Sequence, residues 1–190
     1  LNGRDITQLA PDQRSRAGIG RSYQKTNIFP AFSVLENCRL AAQSRDPHAF
    51  NLFRSAVSYI PITQAAHEAL DAVGLQHRAH ISAGFLSHGE QRQLEIAMSL
   101  ATKPQVLLLD EPLAGMGAQE STKMVTLLQK LIKNHAVLLV EHDMDAVFAL
   151  ADVLTVMVNG RVLESGTPEQ IRNSAQVQRA YLGNEEAEHG

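Results

Sequence analysis

The 190 residues are 44% hydrophobic and carry a formal net charge of −3, a balance that suits one globular core and gives no electrostatic reason to expect nucleic acid as a partner. Cys38 is the one cysteine, which excludes an internal disulfide and fits a reducing compartment. The most apolar region, 136–158, is interrupted by Glu141, His142, Asp143, Asp145 and Asp152, so it reads as strand, helix and strand and not as a membrane-crossing helix. The start has no secretory signal pattern, and Leu1 stands where an initiator Met would, so the chain is expected to be a fragment or a processed product.

In chain order, 1–6 reads as the end of a strand or hairpin with Asn2-Gly3 as its turn, and Pro11 suits the first turn of a short helix. A short strand is expected over 19–23. Ser33-Val34-Leu35-Glu36 is a capping-box pattern that opens a helix toward Ala42. The stretch to about Gly84 is helical, clearest over 65–73, with Gly74 placed to end that helix. The alternation of buried strands and amphipathic helices returns after Leu86. Leu94, Ala97, Met98 and Ala101 line one helix face, Val106 to Leu109 is a strand expected to be buried on both faces, and Met124, Leu127, Leu128 and Leu131 line a second helix. A second buried strand is expected over 136–140. Strand, helix and strand in this rhythm imply a parallel sheet with right-handed crossovers. Val153 to Glu164 reads as an edge hairpin around Asn159-Gly160, and 168–182 as helical and amphipathic.

Both buried strands end in polar groups, Asp110-Glu111 and Glu141-His142. Ligands of an open parallel sheet bind outside the carboxyl ends of its strands. Two adjacent carboxylates there can divide labour, one holding a metal and the other facing an attacking water, because successive residues leave a strand in different directions. Ser87 and Glu90 form a Ser-x-x-Glu capping box, and a helix N-terminus is also an anion site. His77 and His80 are assigned to the surface, without a metal.

The apolar run ending in Asp110 resembles the Walker B segment of P-loop ATPases, and the Glu that follows marks the ABC branch. Leu86-Ser87-His88-Gly89-Glu90-Gln91 stands at the place of the ABC signature, Gln24 matches the Q-loop and His142 the H-loop histidine. The order and contexts of these four motifs, with 18–24, 86–97, 108–117, 140–145 and 180–183, resemble the ATP-binding subunits of branched-chain amino-acid importers across nearly the whole chain. The resemblance implies an α/β fold, a P-loop NTPase of ABC type with a mostly parallel sheet and an α-helical subdomain. It implies ATP and Mg²⁺ as cofactors. Asp110 and Gln24 would hold the metal, Glu111 would be the general base or water-orienting residue, and His142 would steady the γ-phosphate. Gln24, Ser87, Gly89 and Glu90 would line the nucleotide place.

The expected division is 1–24 as a remnant of the ATPase core, 25–84 as the helical subdomain that docks on the membrane subunits, 85–166 as the core, and 167–190 as a helical tail. The partners implied are a second ATP-binding subunit, transmembrane permease subunits and, indirectly, a periplasmic binding protein, at the cytoplasmic face of the inner membrane. Three departures stand out. His88 replaces a Gly and Glu90 a Gln of the general signature, and 114–117 lacks the usual D-loop Asp. Third, no Gly-Lys pair occurs, so GxxxxGK[ST] is absent and the first part of the sheet is expected to lie before Leu1. The chain alone is then expected not to hydrolyse ATP. Two alternatives are a non-hydrolysing partner that lends its signature to a companion, and an ABC ATPase outside transport. The modest insert over 25–84 argues against the second.

Overall fold

The computed structural model describes residues 1–22, 27–45 and 60–185, and the side chains among them up to 180. They form two compact units, Leu1–Glu141 and His142–Gly190.

The first unit begins with a turn at Asn2-Gly3, both at positive φ, but 1–6 forms no strand. The expected hairpin end is therefore only a turn. Helix α1 (Pro11–Ala17) starts on its proline and ends at Gly18 in a left-handed cap. Strand β1 (Ile19–Arg21) follows, and its Gly20 is needed for close approach: a Cβ there would lie 3.1 Å from both Pro104 and Leu107 side chains. Helix α2 (Val34–Gln43) opens on the Ser33 hydroxyl, which accepts the Glu36 N–H at 3.1 Å. Helix α3 (Ile60–Ala72) ends before Gly74, at φ +78°. Both pack against helix α4 (His88–Ala101). Buried Asn37 ties the entry to α2, accepting the Phe29 N–H at 2.8 Å and donating to the Phe29 and Ser33 carbonyls at 3.0 Å. Burying an amide is tolerable only because it is satisfied in this way.

Strand β2 (Val106–Asp110), helix α5 (Ala118–Leu131) and strand β3 (Ala136–Val140) complete the unit. The sheet is parallel in the order β1-β2-β3, with Ile19 opposite Val106 and Asp110 opposite Val140. Leu107 and Leu109 are fully buried in β2, as a central strand requires. The expectation for β3 is corrected. It is the outer strand of the described sheet, and Leu138 and Val140 are 61% and 55% exposed.

The second unit holds helix α6 (Met144–Leu150), the antiparallel strands β4 (Leu154–Val158) and β5 (Arg161–Gly166), helix α7 (Pro168–Arg172) and helix α8 (Ala175–Glu185). Asn159 and Gly160 both have positive φ, which gives the turn a twist matching the strands. The helical stretch expected over 168–182 is two helices that meet at Asn173-Ser174, where the Ser174 hydroxyl bonds the Glu164 carboxylate and accepts the Val177 N–H. Val147, Leu154, Ile171 and Val177 form the unit's core, and the Arg172 guanidinium lies 4.5 Å from the Phe148 ring centre.

Candidate functional site

The site is built at two places in the first unit, the carboxyl end of β2 and the first turn of α4. At the end of β2, the Asp110 N–H donates to the buried Ser22 hydroxyl at 3.4 Å, and the Ser22 N–H donates to the Leu108 carbonyl at 3.0 Å. Ser22 is thus fixed beside Asp110, two residues before Gln24 in sequence. Gln24 itself lies outside the described residues. On the other side of that segment, the Asn27 N–H donates to the buried Glu95 carboxylate at 2.6 Å, which also receives Arg92 at 2.9 Å. Ser22 and Asn27, on either side of Gln24 in sequence, are therefore anchored to β2 and to α4.

Glu111 has φ +45°, a left-handed conformation that costs an L residue about 1–2 kcal/mol. Its N–H donates to the Val140 carbonyl at 2.9 Å, and the Leu113 N–H donates to the Glu141 carboxylate at 2.9 Å. The turn after β2 is consequently tied to the end of β3.

Ser87 caps α4 as its pattern requires. Its hydroxyl accepts the Glu90 N–H at 3.2 Å, and its own N–H donates to the Glu90 carboxylate at 2.9 Å. Arg78 grips the same carboxylate with Nε at 3.0 Å and Nη2 at 3.2 Å, and holds Glu90 below the usual carboxylate range. Glu90 therefore braces the helix start against the 76–78 turn. Gly89 is buried, and a Cβ on it would lie 2.9 Å from a Glu120 carboxylate oxygen; the Ser87 hydroxyl donates to that oxygen at 3.3 Å. A Cβ at Gly115 would lie 3.3 Å from the His88 ring. Gly115, in the turn after β2, and Glu120, at the start of α5, thus pack on the first turn of α4.

Sequence reasoning missed Ser22, Arg78 and Glu120, and gave Glu141 no role. Glu120 carried one signal, an acidic residue in the first turn of a helix. Arg78 carried none, because its partner is twelve residues away across a turn. His142 is exposed and begins the second unit. Among the described residues, no group of three His, Cys, Asp or Glu side chains is placed to hold a metal. A single carboxylate with a nucleotide phosphate and water suits Mg²⁺, which keeps several waters and takes one or two carboxylates; half-buried Asp110 at a strand end fits that demand. A separate recess of about 550 Å³ between α1, β1 and α4 is lined by Arg14, Arg21, Asn27 and Glu95 among others, and by none of residues 87–90 or 110–111.

Comparison with known proteins shows the family and the fold. The ABC transporter family matches residues 1–114, and the branched-chain amino acid ATP-binding cassette transporter family matches 161–187. The chain is 38% identical over 194 residues to the high-affinity branched-chain amino acid transport ATP-binding protein BraF of Pseudomonas aeruginosa, covering 96% of this chain and 74% of that protein. It is 37% identical to LivG of Escherichia coli, described in the same words, with the same coverage. Identity to the lipopolysaccharide export system ATP-binding protein LptB of Haemophilus influenzae is 30%, over 96% of this chain and 73% of that one. Among solved structures, a nucleotide-free ATP-binding cassette from an ABC transporter superposes with a TM-score of 0.80 at 26% identity, covering 95% of this chain and 75% of the other. A cassette in its ADP conformation gives 0.78 at 25% identity, with 96% and 75% covered.

Proposed function

Because the chain belongs to the ABC transporter ATP-binding family, we propose that it is the ATP-binding and ATP-hydrolysing subunit of an importer whose cargo is branched-chain amino acids. The observation that supports this best is the pair of carboxylates at the end of β2, Asp110 beside the Ser22 hydroxyl and Glu111 held at positive φ, together with the capped, glycine-bearing start of α4. Asp110, with Gln24, would hold Mg²⁺, which when bound neutralises charge on the phosphates. Glu111 orients and deprotonates the attacking water. His142 donates to the γ-phosphate, and Ser87 and Gly89 offer hydroxyl and amide to the nucleotide of a companion subunit. Glu90 keeps that helix start in place.

In this reading residues 25–84 face the permease, 85–166 carry the chemistry, and the protein works at the cytoplasmic face of the inner membrane with a second ATP-binding subunit. No helix among the described residues is long and apolar enough to cross a membrane. In this reading the path for cargo belongs to the permease, supplied by a periplasmic binding protein. The 190 residues contain no GxxxxGK[ST], and the phosphates of a bound nucleotide need that cradle. They should therefore show no ATPase above background when purified alone. In the protein as its gene encodes it, assembled with its permease, Glu111→Gln should lower turnover by about 10²–10⁴-fold while nucleotide still binds. Undiminished turnover in that variant would overturn the reading. A second reading, a non-hydrolysing partner that lends Ser87 and Gly89 to a companion, is favoured by the same missing cradle. It predicts no effect of Glu111→Gln on the assembled transporter but loss on Ser87→Ala.

A further inference from the structure

Glu111 stands directly before Pro112, and a residue before proline prefers an extended backbone. Its φ of +45° runs against that preference, and such a conformation persists only where the surroundings over-determine it. The surroundings are the end of β3. The β2–β3 register places Asp110 opposite Val140, and the ladder continues one step when the Glu111 N–H donates to the Val140 carbonyl at 2.9 Å. Two residues on, the Leu113 N–H donates to Glu141 Oε1, also at 2.9 Å. Leu113 is 6% exposed, so its amide has little water to turn to if that acceptor is lost. Within the turn, the Ala114 N–H donates to the Glu111 carbonyl at 3.1 Å and the Met116 N–H to the Leu113 carbonyl at 3.2 Å. Of these attachments, the one to Glu141 is made by a side chain, so it depends on the residue type at that position.

We propose that Glu141 is a positioning residue for Glu111: by accepting the Leu113 N–H it clamps the turn after β2 to β3 and holds the Glu111 backbone in its left-handed conformation, which aims the Glu111 carboxylate. When the clamp is removed, Glu111 relaxes toward the extended conformation favoured before Pro112, and its side chain swings to another direction. The inference rests on the reading of Glu111 as the water-orienting carboxylate, but the clamp itself is observable without any turnover.

The test compares Glu141→Ala with Glu141→Gln, whose side-chain carbonyl can accept the same N–H. By NMR of the 190-residue chain, Glu141→Ala should speed Leu113 amide exchange about tenfold or more and move the Glu111 Cα and Hα shifts out of the left-handed range. Glu141→Gln should keep both as they are. If Glu141→Ala does not fold, Glu141→Asp, one methylene short of the amide, gives the same contrast with Gln. In the gene-encoded protein assembled with its permease, Glu141→Ala should lower kcat about 10²-fold with KM for ATP unchanged, and Gln should restore it. Wild-type Glu111 shifts in Glu141→Ala, or no rescue by Gln, would overturn the proposal. A fully active Glu141→Ala beside an inactive Glu111→Gln would overturn the positioning role alone, whereas an active Glu111→Gln overturns the reading beneath it.

Discussion

Gly89 is buried although it lies in the first turn of α4, where side chains ordinarily face solvent or a neighbouring loop. What a Cβ would meet there is the far end of the Glu120 side chain, not backbone, and a flexible carboxylate can swing away at small cost. Gly89→Ala should therefore fold with a nearly unchanged melting temperature, while any anion placed on that helix start loses its close approach. Loss of transport ATPase activity with an intact thermal melt is the expected pair of results. Glu90 gives a pH signature at the same place. Arg78 holds its pKa below the ordinary 4.5, so the stability contributed by the pair is present above that value and is lost as pH falls through the lowered one. Arg78→Ala should melt below the wild type at about pH 7, and the gap should close by about pH 3. An equal gap at both pH values would show that the pair contributes nothing ionic.

At the scale of elements, the capping patterns were the most legible part of the sequence. Ser33 and Ser87 open their helices where the Ser-x-x-Glu spacing says, because the pattern encodes a local hydrogen bond that needs no tertiary context. The order of Asp110, Glu111 and Ser87 along the chain was legible for the same reason: each ends or begins a regular element. Position within the sheet was not. Ala136 to Val140 is as apolar as Val106 to Leu109, but it is the outer strand of the described sheet, since a continuous apolar run tells nothing of how many neighbours a strand has. The contacts joining Arg78 to Glu90, Ser22 to Asp110 and Glu141 to Leu113 were also beyond reach, because they depend on tertiary placement that no periodicity reports. Burial on α2 makes a further prediction. Desolvation pushes the Cys38 thiol up to about 12 from its ordinary 9.0, so a thiolate-seeking reagent at about pH 8 should label it only at the rate of unfolding. Rapid labelling of the native chain would contradict the burial of α2.

For the whole molecule, the division into two units sets how damage spreads. Ile171 is fully buried among Val147, Leu154 and Val177, a core that lies wholly within the second unit. Ile171→Ala should cost about 2–5 kcal/mol there, and hydrogen exchange should rise across α6, β4, β5 and α7 before it rises in β2. A uniform rise across both units would mean that they unfold as one. The family's identity was legible over the whole chain because its motifs are spread across both units, from residue 24 to residue 142.

The pairing of Ile19 with Val106 has a consequence in time. A growing chain emerges from its N-terminal end, so β1 leaves the ribosome long before the strand it must lie beside. The helices over 34–72 and the turn at Gly74 can form meanwhile from neighbours already made, and the β4–β5 hairpin closes as soon as its second strand appears. β1 must wait through residues 22–105, α2, α3 and α4 among them. Closing so long a loop is slow, and the apolar edge of β2 has no partner until it closes. The first unit is therefore completed only when residues 136–141 arrive to pair with β2, and Glu111 takes its place at that moment, when the Val140 carbonyl and the Glu141 side chain reach the turn after β2.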